Sequence, residues 1–251
     1  FLGDLPEFTG YKQIYLQAGN VENRGWEASL SYSDQFKFGL GISSTLTFSR
    51  NINEIKEMVE NYHTDLMDEP INIPEVLKDG GRVILKEGGT LGDLYSKADL
   101  VRNDKGYIEM DANGALAKDA NVEPIKLGSV LPKANFAFSN EFTYKGVSAG
   151  FLLSCRLGGI VYSATQAALD QYGVSEASAK ARDAGGVVIN GRTMINAQQW
   201  YETIGSSSGL PQYYTYSATN IRLQEAHIGY TIPRRWLKNI CDINVSLVGR
   251  N

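Results

Sequence analysis

The feature that most constrains this chain is an alternation of apolar and polar side chains, carried over stretches longer than an ordinary globular strand. From Trp26 to Ser33 the even positions are Trp26, Ala28, Leu30 and Tyr32, and the odd ones are Glu27, Ser29, Ser31 and Ser33. A period of two places successive side chains on opposite faces of a β-strand. After Asp34-Gln35, read as a two-residue turn, Phe36, Phe38, Leu40, Ile42, Leu46 and Phe48 take one face. Lys37, Gly39, Gly41, Ser43, Thr45, Thr47 and Ser49 take the other. The spacing predicts a hairpin whose second strand runs over 36–49.

Two further pairs repeat the design. Phe136, Phe138, Phe142 and Tyr144 alternate with Asn135, Ala137, Ser139, Glu141 and Thr143, and Lys145-Gly146 closes the turn. Val147, Ala149, Phe151, Leu153, Cys155 and Leu157 then alternate with Ser148, Gly150, Leu152, Ser154 and Arg156. A third pair covers Ala218 to Thr231 and Ile240 to Gly249, joined through Pro233. In the first of these, Ile221 and Leu223 share a phase that Ala226, Ile228 and Tyr230 do not. A bulge near Gln224-Glu225 reconciles them, because one extra residue exchanges the two faces. Tyr11 to Leu16 is read as continuing across Gly19-Asn20 into Trp26 to Ser33 as one bent strand.

Connections at one end of these strands are minimal, at Asp34-Gln35 and Lys145-Gly146. Those at the other are long, over 50–133 and 159–217. Short turns on one side and long loops on the other are the pattern of outer-membrane barrels. Tyr32, Phe36, Tyr144 and Tyr230 fall near the short-turn ends, where an interfacial girdle sits. A large β-sandwich would also alternate, so the residues alone leave two readings: a membrane barrel, or a soluble β-sandwich serving as a binding or adhesion module. No run approaches the roughly 18 apolar residues of a membrane helix, but β-strands cross a bilayer without one. With 24 basic against 28 acidic residues, the chain lacks the basic excess of a nucleic-acid binder, and no nucleic-acid partner is expected.

Within the loops, Asp104-Lys105-Gly106 and Ala112-Asn113-Gly114 flank Tyr107 to Met110 and predict a small extramembrane hairpin. Helical segments are expected at Asn53 to Val59, Ser163 to Tyr172, Ser175 to Arg182 and Asn196 to Ile204.

Seven segments resemble motifs of one family, in register along the chain from residue 18 to residue 251. Ala18-Gly19-Asn20-Val21 followed by Asn23-Arg24-Gly25-Trp26-Glu27 is similar to a barrel strand of TonB-dependent transporters of the SusC/RagA family. Glu87-Gly88-Gly89-Thr90-Leu91-Gly92-Asp93-Leu94-Tyr95 resembles that family's E-G-x-x-x-G-D-I-Y. Leu127 to Lys133 resembles its L-G-x-x-x-P-K lead into a strand. Arg156 to Gly159, Ala218 to Leu223, Gly229 to Pro233 and Ser246 to Asn251 resemble four more.

The resemblance implies an all-β fold: about six transmembrane antiparallel strands of a barrel of about 22, with long extracellular loops containing short helices. It identifies 1–251 as the C-terminal portion of such a barrel in the bacterial outer membrane. The implied activity is TonB-dependent import of a nutrient, an oligosaccharide or a peptide. The implied partners are a SusD-like surface lipoprotein, TonB through an N-terminal region absent from this sequence, the remainder of the chain's own barrel and plug, and lipid or lipopolysaccharide. Six strands cannot close so wide a barrel, so the sequence is read as part of a longer chain.

No catalytic residue and no metal ligand set is expected. Gly205-Ser206-Ser207-Ser208-Gly209 satisfies G-x-S-x-G in form, but Leu210-Pro211 follows where a nucleophile elbow needs a helix, so it reads as a linker. Asp111-Ala112-Asn113-Gly114 resembles the start of a calcium loop, but Val122 stands where the closing Glu would be, so it reads as a turn. Structural calcium elsewhere in the loops is the one cofactor left open. His63 and His227 are far apart, and Cys155 and Cys241 lie on separate strands with no disulfide expected. The substrate-contact candidates are Trp200, Tyr213, Tyr214 and Tyr216, with Tyr201 beside them, whose flat rings could stack on a sugar or hold a peptide. Arg222 joins them from the polar face of its strand.

Overall fold

The computed structural model describes residues 2–4, 13–15, 19–59, 75–78, 82–112, 114–119 and 122–251. The chain forms two compact units. One comprises Asn23–Ile52, Leu131–Gly159 and Ala218–Asn251. The other comprises Phe1–Glu22, Asn53–Val130 and Ile160–Ser217.

The first unit holds a six-stranded sheet. Its strands are β1 (Gly19–Gln35), β2 (Leu40–Met58), β3 (Ala134–Tyr144), β4 (Val147–Leu157), β5 (Asn220–Ile232) and β6 (Ile243–Arg250). They neighbour one another in chain order, so the sheet is an up-and-down meander. β3 and β4 are 11 residues each, the length a tilted strand needs to cross a bilayer. Register aligns the apolar phase into rows. Phe138 faces Leu153 and Leu46, and Leu153 faces Leu223. Phe142 faces Ala149 and Ile42, and Ala149 faces Ile228, which faces Leu247.

Lys145 and Gly146 form the β3–β4 turn with φ of 49° and 86°, the left-handed pair whose twist matches a two-residue hairpin. The bulge sits where the phase break requires it. Leu152 pairs with Glu225 and Leu153 with Leu223, leaving Gln224 as the extra residue.

Two local expectations change. The first turn is Phe36–Gly39 rather than Asp34-Gln35: Gly39 N–H donates to Phe36 O at 2.8 Å, and Phe36 N–H to Leu40 O at 2.8 Å. Gly39 has φ +95°, which lets the chain reverse there. Phe36 and Phe38 therefore stack on each other in the turn, with centroids 5.5 Å apart, instead of starting the strand. Residues 53–58, expected to be helical, extend β2, because Ile55 exchanges backbone hydrogen bonds of 2.9 Å with Gly88 and Gly89. Gln13–Tyr15 pairs with Leu2–Asp4, and β1 starts at Gly19. Residues 16–18, on which the continuous bent strand depends, lie outside the described residues.

The second unit gathers both long insertions. A four-stranded antiparallel sheet orders Ile125–Ser129, Asp93–Ser96, Val83–Lys86 and Glu75–Lys78. Tight turns at 103–107 and 111–115 occupy the expected hairpin region, with Asn113 itself outside the described residues. Helices α1 (Ala164–Gln171), α2 (Glu176–Asp183) and α3 (Ala197–Gly205) form as expected, capped by Ser163, Ser175 and Asn196. Their core includes Ala167, Ile189, Ile195, Ile204, Leu210 and Tyr214 from the later insertion, and Leu100 and Leu116 from the earlier one. Side chains stitch the two together. Asn190 donates to Ile108 O at 2.9 Å and accepts from Ile108 N–H at 2.8 Å. Gln212 donates to Ala98 O and Asp99 Oδ1.

Candidate functional site

The two faces of the six-stranded sheet have opposite chemistry. Leu30, Ile221 and Leu247 are 72%, 74% and 75% exposed, and Trp26, Leu46, Ile228 and Val245 also stand open on the apolar face. A continuous apolar surface of this kind is rare on a water-soluble monomer. Among the described residues no second sheet covers it, as a sandwich would require. Among the described residues no helix is long and apolar enough to cross a membrane.

The other face is polar and lines a cleft of about 700 Å³ bordered by Glu27, Ser49, Asn135, Arg156, Arg222 and Gln224. Register aligns several polar positions across it: Asn135 pairs with Ser49 and Arg156, and Ser154 with Arg222. Ser31 and Thr45 hydroxyls lie 3.0 Å apart. Arg222 is exposed on this face, its Nε donating to Asn220 Oδ1 at 3.2 Å.

One cluster of polar side chains on this face escaped sequence reasoning. His227 Nε2 lies 2.8 Å from Glu141 Oε2, although β4 runs between their strands. The two meet over Gly150, which pairs with Glu141 on one side and His227 on the other. Glu225 extends the cluster to Arg250, whose Nε donates to its Oε2 at 2.8 Å. The available signal was Gly150 itself, since a glycine inside a strand often marks a close approach. Identifying which groups approach required the register.

The loop candidates separate. Tyr214 is 2% exposed and belongs to the core, whereas Tyr216 is 48% exposed. Trp200 and Tyr213 pack against that core and contact each other edge-to-face at 5.6 Å, and Tyr201 packs there too. Burial and the Asp170 carboxylate push the Tyr214 hydroxyl far up from its ordinary value, and the same causes raise Tyr201. Asp170, Arg182, Gln198, Tyr201 and Glu202 line a polar hollow of about 310 Å³ beside the helices. His63 lies outside the described residues. Cys155 and Cys241 are both free. Among the described residues no group of His, Cys, Asp and Glu is arranged to hold a metal ion.

The motif 87–95 has a structural centre in Asp93. Its carboxylate is fully buried, accepts from the Thr90 N–H at 3.0 Å and the Thr90 hydroxyl at 2.7 Å, and pairs with Lys126. Burial by itself would raise its pKa, but Lys126 and the two Thr90 donors outweigh it and hold the group below the usual carboxylate range. A depressed folded pKa stabilises the fold above the unfolded value of about 3.9 and loses that stabilisation as pH falls through the folded value. Acidification below about pH 4 should therefore loosen this unit, and Asp93→Ala should weaken it by about 3 kcal/mol through lost charged hydrogen bonds. Hydrogen exchange over 83–96 in the full-length protein reads both. Unchanged protection in the variant would refute the assignment.

No family model matches the chain. Three curated relatives are TonB-dependent receptors of Formosa agariphila. Receptor P26 is 27% identical over 176 residues, 63% of this chain and 17% of the relative. Receptor P3 is 22% identical over 263 residues, 93% of this chain and 24% of the relative. Receptor P39 is 28% identical over 115 residues, 46% of this chain and 9% of the relative. This chain thus spans a quarter or less of the length of these relatives. Among solved structures, the RagAB peptide importer in its closed-closed state superposes over 98% of this chain and 27% of its own. The TM-score is 0.67, at 16% identity. A second structure of the RagAB peptide transporter gives a TM-score of 0.66 over 99% of this chain, at 17% identity.

Proposed function

We propose, from the premise that this chain is a barrel portion of a TonB-dependent transporter of the SusC/RagA type, that the full-length protein imports a nutrient across the outer membrane. The observation that carries this reading is the meander of long strands with one exposed apolar face and one polar face. In lipid every backbone group must be paired, so the free sides of β1 and β6 call for further strands of the same barrel. The polar face then lines the lumen, and the long insertions lie on the outer side of the membrane. The 159–217 and 50–133 insertions are the extracellular loops of this reading, and residues 1–251 its C-terminal part.

In this scheme TonB supplies the work through a region outside this sequence, and a plug belonging to the same chain closes the lumen. A SusD-like lipoprotein covers the loops. The RagAB names describe a peptide importer, which favours a peptide over an oligosaccharide as the cargo class. Tyr216 and Arg222 are the exposed substrate-contact candidates. Trp200, Tyr213 and Tyr214 act by shaping the loop that presents Tyr216. Calcium in the loops has no arranged ligand group among the described residues to support it.

Cells that depend on the full-length protein are the test, with uptake of labelled peptides and labelled oligosaccharides measured with and without TonB. Peptide uptake should require both the transporter and TonB. Tyr216→Ala should weaken uptake several-fold, for an aromatic contact worth about 1 kcal/mol, while Tyr214→Phe should leave it unchanged. A protein recovered from the soluble fraction without detergent would overturn the reading.

A further inference from the structure

The short-turn end of the sheet carries a charge pattern that transport does not account for. Its turns and connection carry Lys37, Lys145, Arg234, Arg235 and Lys238 with only Asp34 and Asp242 as carboxylates, in a chain whose net charge is −4. The β3–β4 turn and the β5–β6 connection share this end, since Thr231 N–H donates to Gly146 O at 2.7 Å. The connection over 233–242 is tightly built. Arg234–Leu237 forms a 3₁₀ turn, and the Lys238 and Asn239 N–H groups close back on Arg234 O. Lys238 and Asn239 both take left-handed φ values, 53° and 60°, which residues with a Cβ adopt rarely.

The arrangement sorts the side chains. Arg234 is occupied by a two-pronged pair with Asp242, its Nε donating to Oδ1 at 2.6 Å. The only carboxylate of the connection is thereby used. Arg235 and Lys238 are left exposed, with no ion pair among the described residues. Between and beside them stand Trp236, 64% exposed, and Ile240, 81% exposed. Alternating cations and large apolar groups on a hydrogen-bonded loop at the end of an apolar sheet face match a membrane–water boundary. There the rings and aliphatic groups enter the acyl edge, and the cations meet phosphates.

We propose that this connection binds the headgroup phosphate of an anionic glycerophospholipid in the leaflet on the short-turn side, with Arg235 and Lys238 as the phosphate ligands and Trp236 and Ile240 seated on the adjoining acyl chains. The proposal rests on the barrel reading for its orientation and goes beyond it in naming a lipid class and its contacts. Charge complementarity selects the anionic lipid over a zwitterionic one. Placement at the short-turn end selects a phospholipid over lipopolysaccharide, whose leaflet faces the long loops.

The test uses the full-length transporter, stripped of lipid in non-ionic detergent and titrated with phosphatidylglycerol, phosphatidylcholine, lipopolysaccharide or inorganic phosphate, with bound lipid counted by native mass spectrometry. Phosphatidylglycerol should be retained in preference to phosphatidylcholine, and inorganic phosphate should not displace it. Each interfacial cation contributes about fivefold, so Arg235→Ser with Lys238→Ser should weaken phosphatidylglycerol binding about 25-fold. Trp236→Ser should weaken both phospholipids, and Arg192→Ser, an exposed cation of the loop unit, should change nothing. Equal retention of the two phospholipids, an unaffected double variant, displacement by phosphate, or a loss of lipopolysaccharide instead would each overturn the proposal. Fractionation separates the two levels: a protein still in the outer membrane with no lipid preference rejects only this site.

Discussion

Leu153→Arg should lower the stability of the membrane sheet by about 2–4 kcal/mol, and Ser154→Arg, one residue along the same strand, should lower it by far less. Leu153 lies in the middle of β4, opposite Phe138 on one side and Leu223 on the other, in a row that includes Leu46. A guanidinium there must sit in hydrocarbon or drag water and headgroups toward it. Ser154 faces the polar cleft with Arg156 and Arg222, where an added cation stays hydrated. The measurement is urea unfolding of the full-length protein in lipid vesicles, followed by the shift between folded and unfolded bands on unheated gels. Equal effects at the two positions would mean that the apolar face does not meet lipid.

The second large effect is at Gly150. A Cβ built there would collide with Glu141 Oε2 and His227 Cε1 and stand 2.9 Å from Asn140 O. Gly150→Val should therefore part the Glu141–His227 pair and strain the ladder, at about 1–3 kcal/mol for overpacking. It should also couple to the pair. In a background where Glu141→Ala and His227→Ala have removed both side chains, the added cost of Gly150→Val should shrink, as groups in contact are not additive. Full additivity in vesicle unfolding would show that the valine acts only through strand propensity.

Much of the sheet was written in its residues. Trp26, Leu30 and Tyr32 against Glu27, Ser29 and Ser31 fix which face is apolar. The phase break between Leu223 and Ala226 locates the bulge at Gln224. Lys145-Gly146 marks its turn. The first turn was misread because Phe36 and Phe38 keep the alternation going after the strand has ended, and Gly39, two residues later, is where the chain can reverse. The helices were legible through Ser163, Ser175 and Asn196, each an acceptor for the free N–H groups of a first turn.

The candidate site was less legible. Trp200, Tyr213, Tyr214 and Tyr216 look alike in sequence, and only packing separates the buried Tyr214 from the exposed Tyr216. Asn53 to Val59 has the composition of a helix, but the stretch to Met58 is held as strand by Gly88 and Gly89, residues more than thirty positions away from Ile55.

By itself, then, the sequence determined most of the six-stranded sheet and its two faces, because alternation is a property of adjacent residues and needs no partner to be read. The tertiary structure decided that the two long insertions share one core, joined through Asn190 to Ile108 and Gln212 to Ala98, and that Glu141 and His227 meet over a glycine. These contacts join residues brought together by strand register and by the burial of a common apolar surface, and neither leaves a local pattern in the chain.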